Sequence, residues 1–438
     1  MLKLKQLQLL FLTGLLVLLA SCVPPTPPPS PTPWPTDTPT PDTTTTPAAL
    51  ATSRPTATRS ATPTPTPAAV TIRVWESLPE AQAARLAEDV AAFQTEFPQF
   101  QVDLQHYDSS EDFMTSLTAG QLEFDLVLAA PPLLGNLWAT ERVAPLADYF
   151  PPSFLDAFAG ATLAGAGRDD QLWGLPDTTG FHLLLFYNRA LIDAPPSSTA
   201  DMVDLAEPLT EDGQWGLGLN SYDPIWLLPW LGAMGGWLTD DIGEPALDPA
   251  ALEAALEFYL DWHDQNKGIA PLQTYETMRQ AFLEGKTAMV IDGEWAISEL
   301  SQVENFDWGL ARLPDVEGQP ATPLILGRYW AINPTVTGDR ALAVTAFLEH
   351  VTEPERQLAW TAQFGLLPTR REALDDPQIT HDPLLRVDAA QMLAGRSVPL
   401  GVNVNTLLDA MRDPLRAALD GEMTAQEAAK AMAANLGK

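Results

Sequence analysis

The 438-residue chain carries 57 acidic against 24 basic side chains, a formal net charge of −33, and a single cysteine. A body this acidic repels nucleic acid and anionic lipid while staying soluble and monomeric, so nucleic-acid partners are excluded. One cysteine leaves no room for disulfides, zinc ribbons or paired-thiol chemistry.

Lys3 and Lys5 precede an apolar run from Leu9 to Ala20. The run is too short to span a bilayer and ends in small residues, as a secretion signal does. Leu19-Ala20-Ser21-Cys22 then predicts cleavage after residue 21 and a lipidated Cys22. Acyl chains on that thiol would hold the protein to the extracytoplasmic face of a cell membrane. Residues 22–69 are dominated by Pro and Thr with almost nothing to bury, which predicts a disordered tether. In polyproline II, at about 3.1 Å per residue, such a segment reaches on the order of 100 Å.

The rest, 70–438, has ordinary globular composition and is longer than one core supports, so two lobes are expected. Val70 to Trp75 has strand character. Leu86, Val90, Phe93 and Phe97 recur on one helix face until Pro98 stops it. Strands over Phe100–Leu104 and Phe124–Ala129 flank a helix near Glu111–Leu117. Strand and helix alternating at this spacing predict an α/β layer with parallel strands. Ligands of such sheets sit beyond the carboxyl ends of the strands, which nominates Trp75, Glu76, Asp108 and Pro131.

Further along, Thr274–Leu283 reads as a helix capped by Gly285, and Thr287–Ile291 as a buried strand. The Asp292-Gly293 turn then throws Trp295 out at a strand-to-helix junction. A sugar offers a patch of C–H groups on one face and hydroxyls on its edge, so aromatic faces beside polar groups suit it. Of the thirteen tryptophans, Trp226, Trp230, Trp295 and Trp330 are candidate platforms, whereas Trp237, Trp262, Trp308 and Trp360 are assigned to packing.

Four segments in order carry a family resemblance: Gly174-Leu175-Pro176-Asp177 with His182 to Asn188, Gly285 to Ala296, Gly327 to Ile332, and Leu367 to Arg371. Together they resemble the extracellular solute-binding proteins of family 1, the relatives of maltose-binding protein, over essentially all of 70–438. The resemblance implies a two-lobed α/β periplasmic-binding-protein (type II) fold with a ligand cleft between the lobes. It puts 70–177 and 313–333 in the first lobe and 178–312 and 334–438 in the second, with crossovers near 175–180, 306–313 and 333–338. It also implies a substrate receptor of an ABC importer that closes on a small polar solute, a sugar or oligosaccharide, and hands it to permease subunits, with no cofactor, no metal and no catalytic residue. Phe181, His182, Arg328 and Tyr329 join Trp295 and Trp330 as ligand candidates on that basis.

One departure stands out. Where maltose-binding relatives place a sugar-contacting acid after the first crossover, this chain reads Gly180-Phe181-His182. A glycoside hydrolase would need two carboxylates across a cleft, for which Glu76 with Glu294 or Asp108 can be nominated. No nucleophile elbow, His-Glu-x-x-His or Walker loop accompanies them, and the five histidines are scattered. A sensor or adhesin on the same scaffold is the other alternative, because fold does not fix use.

Overall fold

Ile72 and Val74 alternate with partly exposed residues along the first strand, the period that seats one face of a strand on a core. The computed structural model describes residues 69–436 except 108, 119–122, 212, 241–242 and 264–267. The signal segment, Cys22, the Pro/Thr-rich stretch to residue 68 and Asp108 therefore lie outside the described residues.

Among the described residues eleven strands occur in chain order: β1 (Val70–Glu76), β2 (Phe100–His106), β3 (Leu126–Ala129), β4 (Gly167–Arg168), β5 (Gln171–Leu172), β6 (Leu175–Gly180), β7 (Leu183–Asn188), β8 (Trp215–Gly218), β9 (Thr287–Gly293), β10 (Trp308–Ala311) and β11 (Leu326–Ile332). They form a five-stranded sheet ordered β2-β1-β3-β11-β6, a four-stranded sheet ordered β10-β7-β9-β8, and the small ribbon β4-β5. In the first sheet β1 runs parallel to β2 and β3, while β11 is antiparallel to β3 and β6. In the second, β8 is parallel to β9, and β7 is antiparallel to β9 and β10. The parallel α/β expectation holds for the β1-β2-β3 half, and each sheet is closed by antiparallel strands at the crossovers.

Each sheet buries its own core. In the first, Ile72, Val74, Phe93, Trp330 and Phe347 pack on one face and Trp75, Phe113, Leu134 and Tyr329 on the other. The second sheet packs around Phe186, Leu217, Trp230, Tyr259 and Met289. Each such side chain contributes about 1.5–3 kcal/mol when fully buried, so both lobes hold enough apolar mass to order themselves.

The chain passes between sheets first at residues 181–182, joining β6 to β7, and again over 312–325, joining β10 to β11. The expected return to the second lobe at 333–338 does not occur. After β11 the helix Asp339–Val351 packs on β1 and on the helix Glu80–Glu96, with Phe347 edge-on to both Phe93 and Trp330. The next helix, Pro354–Phe364, stays there too, because Arg356 and the Trp360 indole N–H both bind the buried Asp89 carboxylate. The third passage comes later. Leu324 bridges to Arg396, Val398 joins the second-lobe core and Leu400 the first-lobe core. The helices Val404–Leu419 and Ala425–Leu436 then pack on Pro249–Trp262 of the second lobe. Sequence periodicity marks these helices but not the sheet each covers, which is why 334–364 is misassigned from sequence.

Phe347→Ala tests this placement. It should cost about 3–5 kcal/mol in urea-unfolding experiments, the range for deleting a buried aromatic, and expose Trp330 fluorescence first. A loss under 1 kcal/mol would show that this helix does not close the first core.

Candidate ligand-binding site

The carboxyl ends of β1, β2 and β3 and of β8 and β9 are the loops that parallel-strand topology offers to a ligand. On the first lobe, the Trp75 ring stacks on Tyr107 at 4.6 Å and meets Phe113 edge-on at 6.0 Å. Trp75 is only 8% exposed, and its indole N–H has no partner among the described residues. Glu76 is closed in: its Oε2 accepts the Leu78 N–H at 2.6 Å and its Oε1 lies 2.8 Å from His106 Nδ1. That carboxylate therefore ties strand ends together. Pro131 starts the helix Pro131–Ala139 and lines a small pocket with Leu326, Tyr329 and residues 397–402.

On the second lobe, β9 ends at Gly293 and the partly exposed Trp295 follows at the mouth of the helix Ala296–Leu300. The indole lies against Gly293, where an added Cβ would meet ring carbons at 2.2 Å, so only glycine admits this pose. Its Nε1 donates to the Tyr275 hydroxyl at 2.8 Å, and Phe181 meets the ring at 5.2 Å and 38°. The same hydroxyl accepts from Arg279, whose guanidinium is held by Glu299 and sits 3.8 Å from Asp292. Trp295 is thus an aromatic surface fixed on three sides, with its polar atom already used.

The other candidates fall elsewhere. Trp230 is fully buried against Phe258 and Trp262, and Trp226 is 3% exposed with its indole N–H on the Ile291 carbonyl at 2.8 Å. Trp330 and Tyr329, each 1% exposed, point to opposite faces of β11 and enter the two first-lobe core layers. Neither keeps a face for a ligand. Arg328 binds Asp177 through Nε and Nη2 at 3.2 and 2.9 Å and Gln82 through Nη1, all within the first lobe. His182 is buried 2.8 Å from Asp388 on the helix Pro383–Ala394. Burial pulls its pKa down, but the Asp388 carboxylate outweighs this and leaves it raised. Strand β11 is covered on both sides by helices, and alternation cannot reveal that from sequence. Tyr107 and Tyr275 were missed. The second had a legible signal, since Thr274 caps its helix and Tyr275 and Arg279 are four residues apart.

A cavity of about 720 Å³ is lined by residues 167–172, Asp240, Arg396, Ser397 and Pro399. None of these belongs to a carboxyl-end loop of either sheet. Among the described residues no cluster of three His, Cys, Asp or Glu is arranged to hold a metal ion.

Comparison with known proteins decides the family. Residues 89–387 match the sequence profile of the bacterial extracellular solute-binding proteins, more than half of the chain. The chain belongs to that family. This solute-binding protein is 24% identical over 326 residues to a maltotriose-binding protein of Pyrococcus abyssi, covering 72% of this chain and 67% of the relative. It is 22% identical over 264 residues to a maltooligosaccharide ABC transporter solute-binding lipoprotein of Streptococcus pneumoniae, covering 56% of this chain and 61% of the relative. Among solved structures, the maltose/maltodextrin-binding domain from Bdellovibrio bacteriovorus bound to maltotriose superposes with a TM-score of 0.63 at 25% identity, covering 84% of this chain and 99% of that one. A cyclo/maltodextrin-binding protein complexed with maltotetraose gives 0.74 at 18% identity, covering 85% and 98%, and supports the fold. The two-lobed binding-protein fold is thereby established.

Burial pushes the Asp292 carboxyl up to about 6, against the pull of the Gly293 N–H and Arg279. A carboxyl raised in the folded state adds stability that is present in full below its unfolded value and is lost as pH rises through about 6. His263, lowered to about 4 by burial, acts in the opposite sense, with stability present above its unfolded value and lost on acidification. Asp292→Asn should therefore stabilise the protein by about 3 kcal/mol at pH 7.5 and by about half that at pH 5. Urea melts at the two pH values check this, and a gain independent of pH would contradict it.

Proposed function

We propose that the protein is a lipid-anchored, extracytoplasmic substrate receptor of an ABC importer, that its ligand is a sugar of the maltooligosaccharide class, and that it binds by closing its lobes. The observation that carries the reading is Trp295, a part-exposed aromatic face locked by Tyr275, Gly293 and Phe181 beside the first crossover. A face without a free polar atom suits the C–H side of a sugar ring, and rigidity removes an ordering cost that binding otherwise bears. The names of the relatives, which bind maltotriose and maltooligosaccharides, support the same class. On the first lobe, Trp75 stacked on Tyr107 near the ends of β1 and β2 is the aromatic pair assigned to the same ligand. A ligand touching both lobes favours the closed state only by its differential affinity for it, so an empty receptor rests open and a filled one is closed for the permease to read. The ligand leaves unchanged.

A thermal-shift panel of sugars on the chain purified in detergent is the direct test, since ligand at a hundredfold its Kd adds about 2.7 kcal/mol. Trp295→Ala should cost about 1–3 kcal/mol of binding and spare cooperative folding. Trp330→Ala should do the reverse, losing about 3–5 kcal/mol of stability. Small-angle scattering should show compaction with the bound sugar; binding without compaction favours a rigid adhesin, and cleavage of the sugar a hydrolase.

The anchor is tested separately. Cys22→Ser should release the protein from the membrane fraction or leave it unprocessed, because lipidation needs the thiol. Unchanged partition into detergent would refute lipidation at Cys22.

A further inference from the structure

The acid that the family resemblance leads one to expect at the first crossover is missing from Gly180-Phe181-His182, yet the fold brings a carboxylate there by another route. Glu294, between Gly293 and Trp295, belongs to the second lobe, and its backbone N–H donates to the His182 carbonyl at 3.0 Å. Its side chain reaches back to the end of the first-lobe strand β6, where a Cβ on Gly180 would stand 2.8 Å from Oε1. The residue is partly exposed, but Oε2 is buried and has no hydrogen-bond partner among the described residues. A shielded carboxylate oxygen without a donor is costly, and native structures rarely leave one without a reason.

We propose that Glu294 is a ligand-binding and specificity-determining residue, whose carboxylate accepts a hydroxyl of a sugar stacked on Trp295. This rests on the sugar reading above and adds to it the group that selects hydroxylated over apolar ligands. Three features fit. Glu294 adjoins Trp295 in sequence, so a ring lying on the indole presents its edge hydroxyls towards the neighbouring carboxylate. The group spans the joint between β6 and β9, where a ligand touching both lobes would reach it. Burial raises its pKa, partly offset by the His182 charge and by the Phe181 and Trp295 backbone N–H groups, which leaves Oε2 as the oxygen without a partner. Gly180 is part of the arrangement, because any side chain there displaces the carboxylate.

The test is calorimetric titration of the whole chain in detergent with maltotriose, backed by a thermal-shift panel of mono-, di- and trisaccharides. Wild type, Glu294→Ala, Glu294→Gln and Gly180→Ala are compared. Glu294→Ala should weaken binding about tenfold to a hundredfold, the range for losing a charged hydrogen bond. Glu294→Gln, which keeps an acceptor without the charge, should lose less. Gly180→Ala should also weaken binding while the melting temperature stays close to that of wild type, because only the end of a flexible side chain has to move. If wild type binds a sugar and all three variants match its affinity, or if Glu294→Gln lowers only the melting temperature, Glu294 is a structural partner of His182 and the proposal fails alone. If wild type binds no sugar in the panel, the sugar reading and the role of Glu294 fall together.

Discussion

Two residues, Phe181 and His182, carry the chain from the last strand of one sheet to the first strand of the other, and the geometry around the joint follows from how little chain is available. Phe181 adopts a left-handed backbone with φ 63, a conformation that costs a bulky residue on the order of 1–3 kcal/mol. The surroundings hold it there. Its ring is set against Trp295, and His182 immediately beyond is fully buried against Asp388. A longer linker would relax this backbone and separate the joint from the platform. With two residues, any rotation of one sheet against the other must move the aromatic pair.

Ionisable groups collect at this joint in an unusual density for a protein interior. His182, Asp388 and Glu294 share one shielded region, and Asp292 with Arg279 lies just beyond Trp295. Burying charge is costly unless it is paired, and apolar replacements of buried pairs are often as stable, so stability alone does not explain their presence. They do hold orientation. The Asp388 helix also packs on β7, on β10 and on the first-lobe helix Gly160–Ala164, so the His182 contact ties the crossover to an element that touches both lobes.

Much of the architecture was legible in the sequence because period and punctuation agree locally. The strand read over 70–75 and the Leu86-Val90-Phe93 helix face were readable from spacing, whereas the turn read at Asp292-Gly293 comes later, at Glu294-Trp295, because β9 runs on to Gly293, and it leaves Trp295 partly exposed. What failed were assignments that depend on distant partners. Trp330 and Tyr329 sit in a strand buried on both faces, where alternation separates two cores and not core from cleft. The helix Asp339–Val351 has an apolar stripe that would suit either sheet. Glu294 was nominated from sequence only as a hydrolase carboxylate, because its closeness to Gly180 and His182 across the joint is a long-range contact that spacing does not encode.

A receptor of this kind must hold its ligand firmly enough to close and loosely enough to let go, and the two sides of the site divide that work unequally. On the second lobe, Trp295 is ordered before any ligand arrives, so contact with it costs little entropy and contributes similarly whether the lobes are open or closed. Interactions that are the same in both states shift no population. On the reading proposed above, closure has to come from groups whose surroundings differ between states, and two groups of the proposed site keep an unused polar atom for it. Trp75 keeps an unused indole N–H on the first lobe, and the Glu294 carboxylate keeps an unused oxygen across the joint. A ligand that satisfies both gains most in the closed arrangement, so the polar groups left incomplete within the protein, and not the large aromatic surface, are what would convert occupancy into shape.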